Sequence, residues 1–213
     1  MRKLLLLLVI GLFCVPACFA QDKDYSDWEF YAGFAHERAN NGADRLDITA
    51  RRILPNGTTV PVDFRSERVK FNGGIGEVVA NVNQNVGLVA EFSATFASTN
   101  LLDQRSGKSF RANLQRYSLL LGPRFNWRNS TPLIPFAHAL FGATRYRARF
   151  PNNDISCSTK DETAFAMGLG AGLDIKAGSR IDFRAIQIDY LPVFFSHGRE
   201  DNLRFSAGIK IKN

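Results

Sequence analysis

The sequence predicts an all-β fold, a closed, antiparallel, up-and-down transmembrane β-barrel of about eight strands. Three features of its 213 residues indicate this fold. Apolar and polar residues alternate with a period of two through most of the chain, which is the pattern of β-strands. After residue 20 no stretch approaches the ~18 consecutive apolar residues that a transmembrane helix needs. The connections between the predicted strands alternate between long and short, as they do in membrane barrels.

The N-terminal segment has the order of parts found in a secretory signal peptide. A basic start is followed by an apolar run over residues 4–12 and by small residues that end at Ala20. We therefore expect cleavage after Ala20, with residues 1–20 as the signal peptide and residues 21–213 as one barrel domain. The alternative is that the segment contains a lipoprotein box and that Cys18 is lipidated.

The charge and the cysteine content of the exported chain indicate which partners and which cross-links it can have. Without the signal peptide, 25 basic residues stand against 20 acidic ones, a formal charge of +5. An exported chain rarely meets nucleic acid, so this mild excess favours contact with anionic lipid head groups. Cys157 is the one cysteine beyond Cys18 in the sequence, and no disulfide is expected to hold the fold.

Each predicted strand is bounded by a turn signal or by a polar segment. The eight strands span about residues 28–38, 67–80, 86–96, 116–127, 133–147, 163–176, 181–190 and 203–211. In the third strand Leu88, Ala90 and Phe92 form an apolar face that we expect to contact lipid. Glu91 lies on the opposite, interior face. In the seventh strand two apolar runs are out of phase, which predicts a β-bulge near Ala185 that restores a single outward face.

The connections set the expected orientation of the barrel. In outer-membrane barrels the periplasmic turns are short and the extracellular loops are longer. The expected extracellular loops are residues 39–66, 97–113, 148–162 and 192–202. Aromatic residues near the predicted strand ends are expected to form interfacial girdles, and they are Trp28, Tyr117, Trp127, Tyr146 and Tyr190. A soluble periplasmic sandwich is the alternative, although its outward positions would be less uniformly apolar.

Five segments carry a resemblance to a known family, and they are residues 120–125 (LLGPRF), 135–142 (PFAHALFG), 170–174 (GAGLD), 184–190 (RAIQIDY) and 202–208 (NLRFSAG). On these segments the chain resembles the small outer-membrane β-barrel proteins of the OmpA/OmpX-like superfamily, across nearly the whole mature sequence. The resemblance implies a location in the Gram-negative cell outer membrane. It implies a stand-alone barrel, because the chain has no room for a peptidoglycan-binding domain. Such barrels usually finish on an aromatic residue, whereas this sequence finishes on Ile211, Lys212 and Asn213.

Polar residues on the predicted interior face are the first candidate site. Glu91, Arg124, Arg184 and Asp189 balance as two acids and two bases, and we expect them to form a buried ion-pair network. An eight-stranded barrel is just wide enough for side chains to fill, so a structural plug is favoured over a gated ion path. Glycines at 168, 170 and 172 are expected to leave space for the long arginine side chains.

Catalysis and cofactor binding have little support in the sequence. Ser196 and His197 are adjacent, so on an extended segment they point to opposite faces and cannot easily form a dyad. The histidine-x-serine pattern of barrel lipid A deacylases is absent, because Arg199 stands at the serine position. The histidines are dispersed and form no metal-ligand motif. No catalytic residue, metal or cofactor is expected, and His138 is interpreted as an interior residue with satisfied hydrogen bonds.

The first long loop is rich in arginine. Arg45, Arg51 and Arg52 are candidate contacts for phosphate, since a guanidinium binds phosphate as a bidentate fork. The alternative is a solvated loop of mixed charge.

These observations together predict a structural or surface-interaction role: envelope integrity, adhesion, or ligand contact through the extracellular loops. A narrow porin-like channel and a barrel enzyme acting on lipid A are the alternatives. The expected partners are outer-membrane lipid and lipopolysaccharide and the outer-membrane assembly machinery, with no nucleic acid, and the chain is expected to be a monomer.

Overall fold

A computed structural model describes residues 25–39, 50–53, 56, 58–62, 64–65, 69–103, 109–149, 155–157, 161–196 and 198–213. The predicted signal peptide, Cys18, Arg45 and His197 lie outside these residues. Within the described ranges every regular element is a β-strand. No helix in this part of the chain is long and apolar enough to cross a membrane.

Twelve strands are described, and eight of them form the barrel. In chain order they are β1 (Trp28–Ala39), β2 (Ala50–Ile53), β3 (Thr59–Val62), β4 (Phe64–Arg65), β5 (Lys70–Asn81), β6 (Val86–Asp103), β7 (Ser109–Asn126), β8 (Leu133–Arg149), β9 (Ile155–Cys157), β10 (Glu162–Lys176), β11 (Ile181–Phe195) and β12 (Gly198–Lys212). The barrel order is β1-β5-β6-β7-β8-β10-β11-β12, and β12 pairs with β1 to close the sheet. All of these pairings are antiparallel, so the predicted fold is confirmed.

The alternating sequence pattern places apolar side chains outside and polar ones inside. In β1, Phe30 and Phe34 are 48% and 59% exposed, whereas Glu29 and Glu37 are buried. The same outward row continues in β6 with Leu88 and Phe92. Because large apolar side chains cover the outside of the closed sheet, its surface matches a lipid environment.

The strands at two of the predicted loops are longer than the sequence suggested. β6 continues to Asp103, and β7 begins at Ser109. β11 ends at Phe195, and β12 begins at Gly198, whose φ of 145° suits glycine. Most of the predicted loops 97–113 and 192–202 is therefore strand, and residues 104–108 and 197 lie outside the described residues. The alternation continues there, but the faces exchange character: apolar residues such as Ala112 and Leu114 face the interior, and polar ones such as Asn113 and Gln115 face outward. A limit drawn where the outward apolar residues stop therefore ends each strand too early.

The other two predicted loops contain strands of their own. β2 pairs with β3 and with β9, which joins residues 50–53 of the first loop to residues 155–157 of the third. β4 adds to the edge of β6 through the pair Phe64 and Asp103. The segments 39–66 and 148–162 are thus partly sheet rather than loop alone. Pairing between short strands so far apart in sequence leaves no local pattern to read.

The predicted β-bulge is confirmed. The register of β11 against β12 shifts between Arg184 and Gln187, and β10 shifts between Leu173 and Asp174. Ala185 and Ile186 are consequently both exposed, while Arg184 and Gln187 both remain buried. The bulge thus keeps polar side chains inside on either side of it.

Candidate functional site

The barrel has two different ends. Its turn end carries the short connections between β5 and β6, β7 and β8, and β10 and β11. Its loop end carries the long connections and the strands β2, β3, β4 and β9. Between the two ends, buried charged side chains lie in the interior, and they form the candidate site.

We call the charged side chains of the interior that are connected by ion pairs and by one hydrogen bond between Arg124 and His138 the charged chain. Its members, in order of contact from the turn end, are Arg128, Glu29, Lys210, Asp174, Arg184, Glu77, Arg124, His138, Asp189, Arg204 and Glu91.

The part of the charged chain near the turn end is organised around Lys210. Its Nζ lies 3.1 Å from a Glu29 oxygen and 2.8 Å from an Asp174 oxygen. Arg128 reaches Glu29 at 2.6 Å. Arg184 donates from Nε to Asp174 at 2.8 Å and from Nη1 to Glu77 at 2.7 Å. Five strands, β1, β5, β10, β11 and β12, and the turn after β7 are thereby tied together across the lumen.

The part nearer the barrel centre is organised around Arg204. Its Nη2 lies 2.7 Å from both Glu91 and Asp189. His138 is 2.9 Å from Asp189 and 3.3 Å from Arg124, which in turn pairs with Glu77 at 2.5 Å. The expected hydrogen-bond satisfaction of His138 agrees with these contacts.

All four residues predicted for the interior network lie in the charged chain, but other residues connect them. Arg124 and Arg184 share Glu77, and Arg204 joins Glu91 to Asp189. Sequence reasoning did not single out Glu77, Asp174 or Arg204. Their inward position was readable from the strand alternation, but the partner of each depends on the stagger between strands across the barrel.

A second, separate group of charges lies near the loop end. Arg116 donates to Glu37 and, at 2.7 Å, to Glu200. The rings of Phe71 and Tyr146 lie 4.9 and 5.6 Å from its guanidinium carbon. Tyr146 is 3% exposed, so its predicted place in an interfacial girdle is wrong. It shares the inward parity of β8, which its nearness to the strand end obscured.

Around Arg116 the interior is apolar. We call this region the loop-end cluster, and its members are Ala39, Val69, Phe71, Ala112, Leu114, Tyr146 and Ala148. A further cluster of leucines and valines, including Leu120 and Leu140, packs within the same barrel. The side chains of the loop-end cluster are buried, as are almost all of those of the charged chain.

The glycines of β10 admit different neighbours from those expected. A Cβ at Gly170 would collide with Asp189 and His138, and one at Gly172 would collide with the Phe136 ring. The arginines do not fill this space, so the expectation for them is wrong. Arg184 instead stacks on Tyr31 and Phe136, with ring centroids 3.9 and 4.3 Å from its guanidinium carbon.

Three side chains of the charged chain have metal-ligating chemistry. Glu91, His138 and Asp189 each place one ligand atom within 4.8 Å of the others. Arg204 already contacts both carboxylates, so a guanidinium supplies the positive charge that a metal ion would bring. Glu91, His138 and Asp189 are therefore arranged as members of a buried ion-pair network.

The remaining candidates lie at the rim. The Ser196 hydroxyl donates to Glu162 at 2.8 Å. The backbone of Arg51 and Arg52 lies in β2, opposite Ser156 and Ile155 of β9. At the turn end a cavity of roughly 250 Å³ opens, and it is lined by Tyr25, Ser26, Glu29, Arg128, Ile134, Lys176, Ser179, Asp182, Lys212 and Asn213. The acids and bases around it already pair with one another, as Arg128 does with Glu29 and Lys212 with Asp182.

Comparisons with known proteins agree with this geometry. The family model described as outer membrane protein beta-barrel domain matches residues 5–210. No curated protein matches the chain. Among solved structures, OprG from Pseudomonas aeruginosa superposes with a TM-score of 0.56 at 10% identity, covering 90% of this chain and 97% of that one. Neisserial surface protein A gives 0.54 at 13% identity, covering 88% and 98%.

Ail, the attachment invasion locus protein of Yersinia pestis, is a third similar structure. In its complex with the heparin analogue sucrose octasulfate it gives a TM-score of 0.52 at 16% identity, covering 87% of this chain and 99% of that one. At these sequence identities, the similarity to the three solved structures shows the fold alone.

Proposed function

The chain belongs to the family of outer membrane protein β-barrel domains, and from this premise we propose that it acts through its loop end, as a surface-interaction barrel with a closed interior. Its place is the Gram-negative outer membrane. The loop end is taken to face the cell exterior, because the short turns of such barrels lie on the periplasmic side. The proposed role includes envelope integrity, adhesion or ligand contact, with the barrel as a monomer and lipopolysaccharide as its neighbour.

The observation that carries the proposal is the filled interior. Glu77, Arg184 and Arg204 are each at most 2% exposed, and ion pairs link them from strand to strand across the lumen. A solute passing through would have to separate these pairs in a medium of low dielectric. Breaking one buried pair costs about 3–5 kcal/mol. The interior therefore supports the plug interpretation over a narrow channel.

The elaboration of the loop end supports the surface role. β6 and β7 continue as a paired ribbon, and β2 and β9 join the first and third loops in one small sheet. A connected platform of this kind is better suited to contacting a ligand than separate flexible loops, because less conformational entropy is lost on binding.

The ligand class proposed for this platform is a polyanionic sugar or a phosphate. Ail, a barrel of the same fold, has been crystallised with a sulfated sugar. In this chain Arg45, Arg51 and Arg52 of the first loop have the side-chain chemistry to bind sulfate or phosphate oxygens.

Planar-bilayer recording of the purified, refolded barrel tests the closed interior. We expect no sustained, ordered conductance. Large and reproducible openings would overturn the closed-barrel proposal, since they require an open path past the ion pairs.

Binding of intact cells to immobilised heparin tests the loop-end role. A triple variant, Arg45→Gln with Arg51→Gln and Arg52→Gln, is expected to weaken binding, while its unboiled mobility on a gel stays that of the folded barrel. Arg180→Gln at the turn end is the control. Unchanged binding by the triple variant would count against this ligand surface.

We propose no catalytic activity for the chain. Mass analysis of lipid A from cells with and without the protein tests this directly. Identical acyl patterns are expected, and an altered pattern would favour the lipid enzyme instead.

A further inference from the structure

The outward face of β8 changes character near the loop end. From Leu133 to Ala143 its outward side chains are apolar or small, and the next three are Arg145, Arg147 and Arg149. Successive outward residues are about 7 Å apart along a strand. The three arginines therefore form a ladder that begins directly above the apolar band.

The neighbouring strands change at the same level. Opposite Ala143 stand Leu119 of β7 and Phe165 of β10. Opposite Arg145 stand Tyr117 and Thr163, and further along β7 the partners are Gln115 and Asn113. The boundary between an apolar surface and a polar one thus crosses three adjacent strands just below Arg145. A lipid leaflet changes from acyl chains to head groups across a boundary of the same kind.

One acid holds two of the arginines in place. Arg147 donates from Nε and Nη2 to both oxygens of Asp161, at 2.9 and 2.8 Å, and Arg145 donates to the same carboxylate at 2.7 Å. The hydrogen bonds from Arg147 and Arg145 hold the pKa of the Asp161 carboxyl below its usual range. One negative charge therefore orders two guanidinium groups and leaves the ladder with an excess of positive charge.

The excess extends around the rim. Among the described side chains, the outward cations at the loop end are Arg38, Lys70, Arg111, Arg145, Arg147, Arg149 and Arg199, and the outward acids are Asp161 and Asp201. In the interior, by contrast, eight buried carboxylates exceed five buried cations. The positive charge of the barrel is thus concentrated on its outside, where lipid head groups lie.

We propose that the arginine ladder of β8 binds the phosphate groups of an anionic glycolipid in the outer leaflet, with the lipid's acyl chains against Phe141, Leu119 and Phe165. A guanidinium is a planar fork that matches two phosphate oxygens, and Arg145 and Arg147 would use the N–H groups that do not donate to Asp161. Asp161 orders the forks before the lipid arrives. This inference rests on the proposed function, which places the loop end in the outer leaflet.

The test measures lipid retained by the purified full-length barrel in detergent, by native mass spectrometry. The probes are bis-phosphorylated lipid A and the same lipid A after removal of its phosphates. We expect the wild-type chain to bind the phosphorylated lipid about tenfold more tightly, a difference of about 1.4 kcal/mol. Equal binding of both probes would overturn the proposal.

The matched variants change two charges at either end of the barrel. Arg145→Gln with Arg149→Gln is expected to lose about tenfold in affinity for the phosphorylated lipid, with no change for the dephosphorylated one. Lys176→Gln with Arg180→Gln removes the same charge at the turn end and should bind as the wild type does. If both pairs weaken binding equally, net charge explains the effect and the proposal fails.

Two further measurements are made, one on a single variant and one in the presence of inorganic phosphate. If the double variant does not fold, Arg149→Gln alone, which alters one exposed side chain, takes its place. If this single variant binds the phosphorylated lipid as tightly as the wild type does, the result contradicts the proposal. Inorganic phosphate at the concentration of the lipid phosphate should not displace the lipid. Displacement would mean that the ladder is a site for free phosphate.

The binding measurement does not depend on which side of the membrane the loop end faces. Labelling of a loop-end cysteine in intact cells, for instance Arg111→Cys, decides that question separately. A periplasmic loop end would overturn the proposed function and leave the lipid measurement standing. Loss of phosphate selectivity with an external loop end would overturn the ladder alone.

Discussion

The charged chain and the loop-end cluster fill the same barrel with different degrees of redundancy. In the charged chain Glu77 contacts both Arg124 and Arg184, and Asp174 contacts both Arg184 and Lys210. Within the surroundings of the loop-end cluster, the described ion pairs of Glu37 and Glu200 both end on Arg116. The difference implies that the charged chain tolerates the loss of one member better than the Arg116 group does, although more charge is buried in it.

The largest effect is therefore expected at Arg116. Arg116→Ala removes the cation that neutralises two buried carboxylates, and we expect it to lower the free energy of unfolding by about 5 kcal/mol. Arg111→Ala on the same strand is the control, because its exposed side chain should contribute less than about 0.5 kcal/mol. Urea titration in lipid vesicles, followed by the gel mobility of the folded form, measures both. Similar costs for the two variants would contradict the isolated position of Arg116.

Arg184→Ala is expected to cost somewhat less, about 4 kcal/mol. It deprives Glu77 and Asp174 of one cation, but each keeps another. The same urea titration ranks this variant against Arg116→Ala. If Arg184→Ala is the more damaging of the two, shared partners do not protect the charged chain.

At the middle of the bilayer, a charge introduced on the outside of the barrel would have only apolar neighbours. Ala90 lies on the outward face of β6 between Leu88 and Phe92, with Val78 and Leu121 across the neighbouring strands. Ala90→Arg is expected to cost about 3 kcal/mol, the value for an arginine near the middle of the bilayer. Ala90→Leu, which keeps the surface apolar, should fold normally.

Cysteine labelling checks the same faces without changing charge. Cysteines at positions 88, 90 and 92 should react with lipid-soluble reagents, and those at 91 and 93 with neither lipid-soluble nor water-soluble ones. The reversed pattern would mean that β6 is inside out. Arginine should be poorly tolerated at the interior position 93, because Ser93 accepts a hydrogen bond from Arg204 at 3.2 Å and a second cation would be repelled there.

The smallest effect is expected at the exposed Asp161. Its pKa is lowered by hydrogen bonds from Arg147 and Arg145, so its contribution to stability is present above the unfolded value of about 4 and is lost as the pH falls towards the folded value. Asp161→Asn should lower the unfolding midpoint slightly at pH 7, and the difference from the wild type should shrink as the pH falls below about 4. A difference that grows on acidification would contradict this assignment.

The strands could be predicted from the sequence because their side chains alternate between the lipid-facing surface and the polar interior of the barrel. The apolar row of Leu88, Ala90 and Phe92 and the bulge at Ala185 both follow from that alternation and are found in the structure. Strand ends were predicted less well, because beyond the lipid the outward face of β7 is polar while its inward face, with Ala112 and Leu114, is apolar. The pairing of β2 with β9 left no local signal, since it joins segments about 100 residues apart.

The members of the interior network could be predicted better than its contacts. The inward row of β11, with Asp182, Arg184 and Asp189, follows from the sequence and the bulge. Which carboxylate each arginine reaches depends on the stagger of strands across the lumen. Sequence alternation fixes the face of a residue, but it carries no information on that stagger.

The pairing of β1 with β12 closes the barrel, so the ion pairs that β12 contributes can form only after β12 has docked. β12 supplies Arg204, Lys210 and Glu200, and β1 supplies their neighbours Glu29 and Glu37. Until β12 docks, a seven-stranded sheet holds carboxylates that must stay hydrated, and both of its edges lack hydrogen-bond partners. Closure therefore dries the lumen and completes the ion pairs in one event. A chain truncated before β12 loses that event entirely, so a premature stop is more damaging to this barrel than the loss of fifteen residues suggests.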